Sequence, residues 1–348
     1  MRVMLLGGTR FIGRAVVRSL MKLGHDVWAY HRGSSNDPVA DSLTHVYGER
    51  TELPCHRDSL AALQLDAIVD MRPITEAESA SVLTALSGMA PRFVAVSSID
   101  VYRAYDRMRG ADPGPPDPVP LTEDSPLRER LYPYRGDSPR AEDAPDRILD
   151  DYDKIPIERR VLNRPEGGGV VIRLPMVYGP NDYQHRLDPY LRRMDDGRPH
   201  LVLTEREAAL GLARAYVEDA GLAIALCAVR PEAAGRVYHS AETGPCSEIH
   251  WIRRIAEQVG WSGRIIVGPD EVAEAASTVA HERQDLTLNT ERIRTELGFS
   301  EATPADAALS ETIAWERQFR RDPPAELQET YAREDSLAKK WGHPAERE

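Results

Sequence analysis

Arg2-Val3-Met4-Leu5-Leu6-Gly7-Gly8-Thr9-Arg10-Phe11-Ile12-Gly13, followed at once by Arg14-Ala15-Val16-Val17-Arg18-Ser19-Leu20, reads as an apolar strand, a glycine-bearing turn and a helix. Glycine is needed where a strand reverses tightly and where backbone must approach a pyrophosphate. The charge of such a group is met by free N–H groups and by the positive end of the helix. Gly7, Gly8 and Gly13 fit those roles, with Thr9, Phe11 and Ile12 completing the turn. A second apolar run, Val27-Trp28-Ala29-Tyr30, follows at βαβ distance, so the stretch predicts a dinucleotide-binding turn.

Working outward, strand-like and helix-like runs alternate: Thr44–Val46 and Ala67–Met71 as strands, Ser59–Leu65 and Glu76–Ser87 as helices, then Arg92–Ser97 as a strand. Alternation of this kind predicts an α/β fold, a doubly wound parallel sheet with helices on both faces. Between Asp112 and Pro145 the pattern gives way to nine prolines mixed with charged residues. That segment reads as an ordered loop, a lid or a disordered stretch, and Tyr132 and Tyr134 within it are placed to cover a ligand. Regular structure resumes with helices around Ile148–Val161, Arg214–Ala228 and Ile249–Val259, a strand at Gly169–Arg173 and a helix at Ser336–Trp341.

The chain has 348 residues, a formal charge of −12 and no long apolar run. Its length suits one large α/β unit with a smaller appended region. The acidic balance argues against nucleic acid, and the hydropathy against a membrane span, leaving a small molecule as the expected partner. Met1 leads directly into the first strand with no room for a secretory signal, so a cytoplasmic location is expected. Cys55, Cys227 and Cys246 are odd in number and lack metal-site spacing, which reads as free thiols and no metal.

Several further blocks occur in order: Phe93-Val94-Ala95-Val96-Ser97-Ser98-Ile99-Asp100-Val101-Tyr102, Ile172-Arg173-Leu174-Pro175-Met176-Val177-Tyr178-Gly179-Pro180, Tyr216-Val217-Glu218-Asp219, and Leu297-Gly298-Phe299 leading to Thr312-Ile313-Ala314-Trp315. With the glycine turn, they make residues 1 to about 317 resemble an extended short-chain dehydrogenase/reductase of the NAD-dependent epimerase/dehydratase kind. The opening Gly-Gly-Thr-Arg-Phe-Ile-Gly resembles an atypical branch in which arginine replaces the middle glycine. The resemblance implies a Rossmann-like domain mainly over 1–180, a substrate-binding region mainly over 181–317 and a charged extension over 318–348. A homodimer is the family habit.

Arg10 presents a planar, permanently charged fork suited to a phosphate. At the end of the second strand, Tyr30-His31-Arg32-Gly33 lacks the acidic residue that binds a ribose 2′-hydroxyl, and Arg32 is placed to pair with a 2′-phosphate. NADP is therefore the expected cofactor, with NAD as the alternative. By resemblance, Glu49 and Arg50 would lie near adenine, and His31, Lys154 and Pro175 would also line the cofactor.

The family's chemistry uses a tyrosine four residues before a lysine on one helix and a serine at a neighbouring strand end. Ser98 matches the serine. Lys154 matches the lysine, in a chain that holds only Lys22, Lys154, Lys339 and Lys340 against forty arginines. Four residues before Lys154, however, stands Asp150. A carboxylate beside a lysine is ionised at neutral pH and is a poor proton donor. Read as a continuous helix, the segment puts Tyr152 on the side away from Lys154. The expected catalytic set is thus Ser98, Lys154 and Asp150, with Tyr132 or Tyr134 supplying another phenol and Tyr102 and Tyr178 also in view.

By resemblance, Arg72, Tyr102, Tyr178 and Arg186 would meet substrate, with His185 read as an ordinary loop residue. The resemblance implies reduction, oxidation, epimerisation or dehydration at a hydroxyl- or keto-bearing carbon of a sugar nucleotide or natural-product intermediate. The alternative is a non-redox member that keeps the nucleotide fold for binding, regulation or RNA association.

Overall fold

The computed structural model describes residues 1–33, 43–136, 138–244, 247–270 and 283–342. In chain order, β1 (Arg2–Leu6), α1 (Phe11–Lys22), β2 (Asp26–His31) and β3 (Thr44–Tyr47) open the fold. A 3₁₀ turn over Arg50–His56, α2 (Arg57–Ala61), β4 (Ala67–Asp70), α3 (Glu76–Ala85) and β5 (Arg92–Ser98) follow. Next come α4 (Arg103–Met108), α5 (Lys154–Leu162) and β6 (Gly169–Leu174).

These six strands and Val237–His239 form one sheet in the order 237–239, β6, β5, β4, β1, β2, β3, with every printed pairing parallel. Parallel strands covered on both faces read as continuous apolar runs, and β1, β4 and β6 do so. Successive side chains point to opposite faces. Val3, Leu5, Val69, Val94 and Ile172 accordingly pack beneath α1 and the helix Val217–Val229, while Met4, Leu6, Ile68, Phe93 and Val171 pack beneath α3 and α5. The two helices on the first face approach closely, because a Cβ on Gly221 would lie 2.5 Å from the carbonyl carbon of Ala15.

Three local departures from the sequence expectation matter. Arg214–Tyr216 is a strand paired with Met176–Tyr178, and the apolar helix begins only at Val217. Helical structure expected at 59–65 forms earlier, across Arg50–Ala61. Most consequential, the helix expected from Ile148 starts at Lys154. Arg147–Asp151 is a 3₁₀ turn, and Tyr152 (φ −70, ψ 120) and Asp153 (φ −159, ψ 128) are extended. Asp153 is the N-cap, its carboxylate accepting from the Ile155 N–H at 2.9 Å, while Tyr152 forms a β-bridge with Thr75.

The proline-rich segment is ordered wherever it is described, that is, throughout 112–145 except residue 137. It is tied to the body by backbone bonds from Leu121 N–H to Thr287, Arg103 N–H to Pro126 and Arg128 N–H to Val101, each between 2.8 and 2.9 Å. The terminal helix spans Leu327–Trp341, longer than the expected 336–341. Among the described residues no helix is long and apolar enough to cross a membrane. Cys55 is exposed and Cys227 buried, both free thiols, whereas Cys246 lies outside the described residues.

Candidate active site

The turn between β1 and α1 has the backbone that a diphosphate requires. Gly7 and Gly8 sit at φ +81 and +111, where side-chain-bearing residues are strained, and a Cβ on Gly13 would lie 2.2 Å from the Gly8 Cα. Arg10, where the resemblance leads to a glycine, has φ −134, extended backbone open to any residue. It serves as the N-cap of α1 without a capping side-chain bond, and the first turn of the helix carries no acidic residue. The Gly13 N–H donates to the Arg10 carbonyl at 2.9 Å, and this end has no side-chain cap, the character of an anion-binding helix start. Ile12 is partly buried against the core, Phe11 is buried with Tyr183 edge-on at 6.4 Å, and Thr9 is partly buried.

Ahead of α5, extended backbone at 152 and 153 sets which side chains share a side with Lys154. Residues i and i+2 of an extended segment face one way, so Tyr152 and Lys154 share a side and Asp153 faces the other. Lys154 Nζ lies 5.6 Å from the Tyr152 ring centre and donates to the carbonyls of Pro73 (2.5 Å) and Val96 (3.2 Å). The Tyr152 hydroxyl donates to Asp100 Oδ2 at 2.7 Å, and the Ser98 hydroxyl bonds the same phenol. Tyr134 reaches Asp100 Oδ2 from the covering segment at 3.1 Å. Asp153, on the other side, meets Arg128 at 3.2 Å with both side chains fully buried, and accepts from the Tyr132 N–H at 2.6 Å. Arg128 thereby clamps the proline-rich cover to the Tyr152–Lys154 segment.

The electrostatics follow from burial. Burial lowers the Lys154 ammonium to about 8, with Arg72 pushing the same way and Asp100, Asp70 and Glu158 opposing. Burial also holds the Tyr152 phenol well above its usual value, reinforced by Asp100 and Tyr134 and opposed by the Ser98 hydrogen bond. Asp100 itself is raised by burial, against the pull of Tyr152, Arg128, Lys154 and Tyr134. This arrangement keeps a proton on a phenol held next to a serine hydroxyl and a lysine.

Residues 3–120 match the model of the NAD dependent epimerase/dehydratase family. The match covers about the first third of the chain, including the glycine turn and Ser98. Among its relatives, the 2′-dehydrokanamycin reductase of Streptomyces kanamyceticus is 27% identical over 267 residues, spanning 75% of this chain and 67% of the relative. The 3-diazoavenalumate denitrifying reductase of a Streptomyces species is 28% identical over 273 residues, spanning 75% and 82%. A solved UDP-glucose-4-epimerase of Stenotrophomonas maltophila with bound NAD shares the fold at a TM-score of 0.67 and 15% identity, over 92% of this chain and 98% of that one. The protein is accordingly an NAD-dependent enzyme of the epimerase, dehydratase or reductase type, built on the Rossmann-like sheet expected for this family.

Four residues before Lys154, Asp150 lies in the 3₁₀ turn ahead of α5 and not on the helix. The buried Asp150 carboxylate is engaged elsewhere, accepting from the Arg140 N–H at 2.8 Å and from the Arg140 guanidinium, with Arg147 3.3 Å away. Those contacts, the Arg140 N–H first, hold it below the usual carboxylate range. The i, i+4 relation fails because no helix joins the two positions. The phenol on the Lys154 side of this segment is that of Tyr152.

Other sequence candidates are distributed differently. Tyr132 stacks on the Arg135 guanidinium at 4.0 Å. Tyr102 is fully buried, 0% exposed, and its hydroxyl is taken by Arg173 and His239, so it is a packing residue beneath the site. Tyr178 is also buried, bonded to Glu242 and edge-on to Trp251. Arg186 is held by Asp182 (2.6 Å) and the Val177 carbonyl, and His185 by Glu316 (2.6 Å) over Trp315. Arg50 turns inward, bidentate on Asp70 and bonded to Glu78, while Glu49 caps the following 3₁₀ turn. His31 bonds His45 at 2.6 Å, Arg32 is exposed with Glu49 4.0 Å away, and Pro175 is buried just past β6. Arg10 and Arg72 are exposed, and among the described residues neither guanidinium takes a hydrogen bond or ion pair.

Sequence reasoning set Tyr152 aside and gave Asp100 no role. The signal was present in Asp153-Lys154-Ile155-Pro156, where a capping aspartate and a proline in the first turn fix a helix start at 154.

Proposed function

We propose that this enzyme is an NAD(P)H-dependent reductase acting on a keto carbon of a sugar or natural-product intermediate. In it, Tyr152 gives the proton, Ser98 holds the reacting oxygen and Lys154 bonds the ribose. The observation that carries the reading is the convergence of Ser98, Tyr152 and Lys154 without the usual four-residue spacing. A bound reduced nicotinamide supplies hydride. The chain's own task is then to hold the carbonyl oxygen between Ser98 and Tyr152 and to deliver one proton to it, the ordinary work of a positioned general acid.

Epimerisation and dehydration by a family member begin with removal of a proton from a substrate hydroxyl, which calls for phenolate. Here a buried carboxylate 2.7 Å from the phenol oxygen opposes phenolate, which favours a site that starts with its proton in place. The two relatives named as reductases point the same way. The absence of an acidic residue in Tyr30-His31-Arg32-Gly33 and the exposed Arg32 support NADP over NAD. Arg72, exposed and close enough to act on Lys154, suits an acidic group on the substrate.

Calorimetry with both reduced nicotinamides, followed by loss of their absorbance on adding keto sugars and keto aminoglycosides, tests the assignment. Binding of the phosphorylated cofactor with turnover that disappears in Tyr152→Phe is the expected result. A nicotinamide affinity absent in the folded protein, or full turnover in Tyr152→Phe, overturns it.

A further inference from the structure

The covering segment brings a second phenol to the carboxylate that holds Tyr152. Tyr134 donates to Asp100 Oδ2 at 3.1 Å, the same oxygen that receives Tyr152 at 2.7 Å, and the Tyr134 and Tyr105 hydroxyls are 2.9 Å apart. Four oxygens thus run in hydrogen-bonded sequence from the reacting side to a partly exposed tyrosine. Asp100 is only 4% exposed, and its other oxygen has no hydrogen-bond partner among the described residues. An isolated buried carboxylate with no ion pair through its own oxygens is costly as a mere structural device.

We propose that Asp100 is a positioning and proton-relay residue that reloads Tyr152, drawing on Tyr134 and Tyr105 of the cover and α4. The inference rests on the reductase reading above. In the step, the Tyr152 O–H bond breaks and its proton joins the substrate oxygen, the hydride at carbon being what a bound reduced nicotinamide would supply. The electron pair left on Tyr152 is met through Asp100, whose carboxylate takes a proton from Tyr134 and passes it to the Tyr152 oxygen, and Tyr134 is resupplied through Tyr105 from water. The sum is one hydride and one proton added to the carbonyl, with every side chain returned to its starting state.

The groups facing this path are Tyr152, Tyr134, Arg128 and Lys154 around Asp100; Asp70, Glu158 and Arg72 around Lys154; and Arg109, 5.3 Å over the Tyr134 ring. Their combined effect keeps both phenols neutral, because burial and the shared carboxylate outweigh the cations.

The experiment combines Asp100→Asn and Tyr134→Phe with ring-labelled tyrosine, read by carbon NMR on the protein without cofactor and by kcat across pH on the enzyme with it. Asp100→Asn is expected to lower the midpoint at which Tyr152 ionises. Both variants should reduce kcat roughly ten- to hundredfold with little change in KM, and the double variant should be no worse than the poorer single one. Tyr134→Phe, which removes one hydroxyl, serves if Asp100→Asn does not fold. Unchanged Tyr152 titration in Asp100→Asn, or a wild-type kcat in Tyr134→Phe, overturns the relay. Failure of nicotinamide to bind or turn over in the wild type instead defeats the reductase reading, and the NMR titration still decides whether Asp100 governs Tyr152.

Discussion

Tyr152 and Lys154 lie on one side of an extended step of backbone just ahead of α5, with the lysine Nζ 5.6 Å from the ring centre. A spacing of two residues here brings a phenol and an ammonium to one side, as a spacing of four does within a helix. Tyr152→Phe should therefore lower kcat by about 10²–10⁴-fold with nicotinamide affinity kept. Asp150→Asn should leave kcat within a few-fold of wild type. Steady-state kinetics on the two variants side by side checks both statements, and a reversed ranking would restore Asp150 to the chemistry.

Lys154 titrates near 8 in the folded protein against 10.5 for an ordinary lysine. Below the lower value both folded and unfolded chains carry the proton, and the cost of burial is constant. Between the two values the unfolded chain binds more protons, so this residue makes stability rise with pH, by up to about 1.4 kcal/mol per pH unit. Denaturant unfolding of wild type and Lys154→Met from pH 7 to about 10 should show the slope in the first and its loss in the second.

Gly13→Ala would put a Cβ 2.2 Å from the Gly8 Cα, backbone against backbone. No side chain can yield there, so α1 must shift from the turn. Loss of nicotinamide binding by calorimetry is expected, together with a lower melting temperature.

Arg32 is expected to read the 2′-phosphate. Arg32→Ala should weaken NADPH binding by about tenfold or more, the worth of one charge-assisted hydrogen bond, while NADH affinity stays level. Equal loss for the two cofactors in a binding titration would assign the phosphate elsewhere, with Arg10 the next residue to replace.

The Arg128–Asp153 pair fastens the cover to the site with both side chains fully buried. Removing one partner leaves an unpaired buried charge, so Asp153→Ala should cost about 3–5 kcal/mol. The same change deprives α5 of its cap. Chemical denaturation measures the first effect, and faster proteolysis within 112–145 reports release of the cover.

The sequence by itself determined the strand-turn-helix at 2–20 and the parallel alternation of strands and helices. It also singled out Ser98 and Lys154, because local patterning and residue type are written in the chain. Glycines at positive φ and apolar runs buried on both faces leave few alternatives. Tertiary structure alone decided the partner of Lys154. Whether residues 148–153 continue a helix depends on Tyr152 bridging Thr75, Asp153 meeting Arg128 and Asp150 meeting Arg140, contacts across 10 to 77 residues of chain. Helical periodicity placed Asp150 beside the lysine and Tyr152 away from it. Those distant contacts end the helix at 154 and reverse the two, since the side a residue faces is set by its backbone dihedrals and these were fixed by packing.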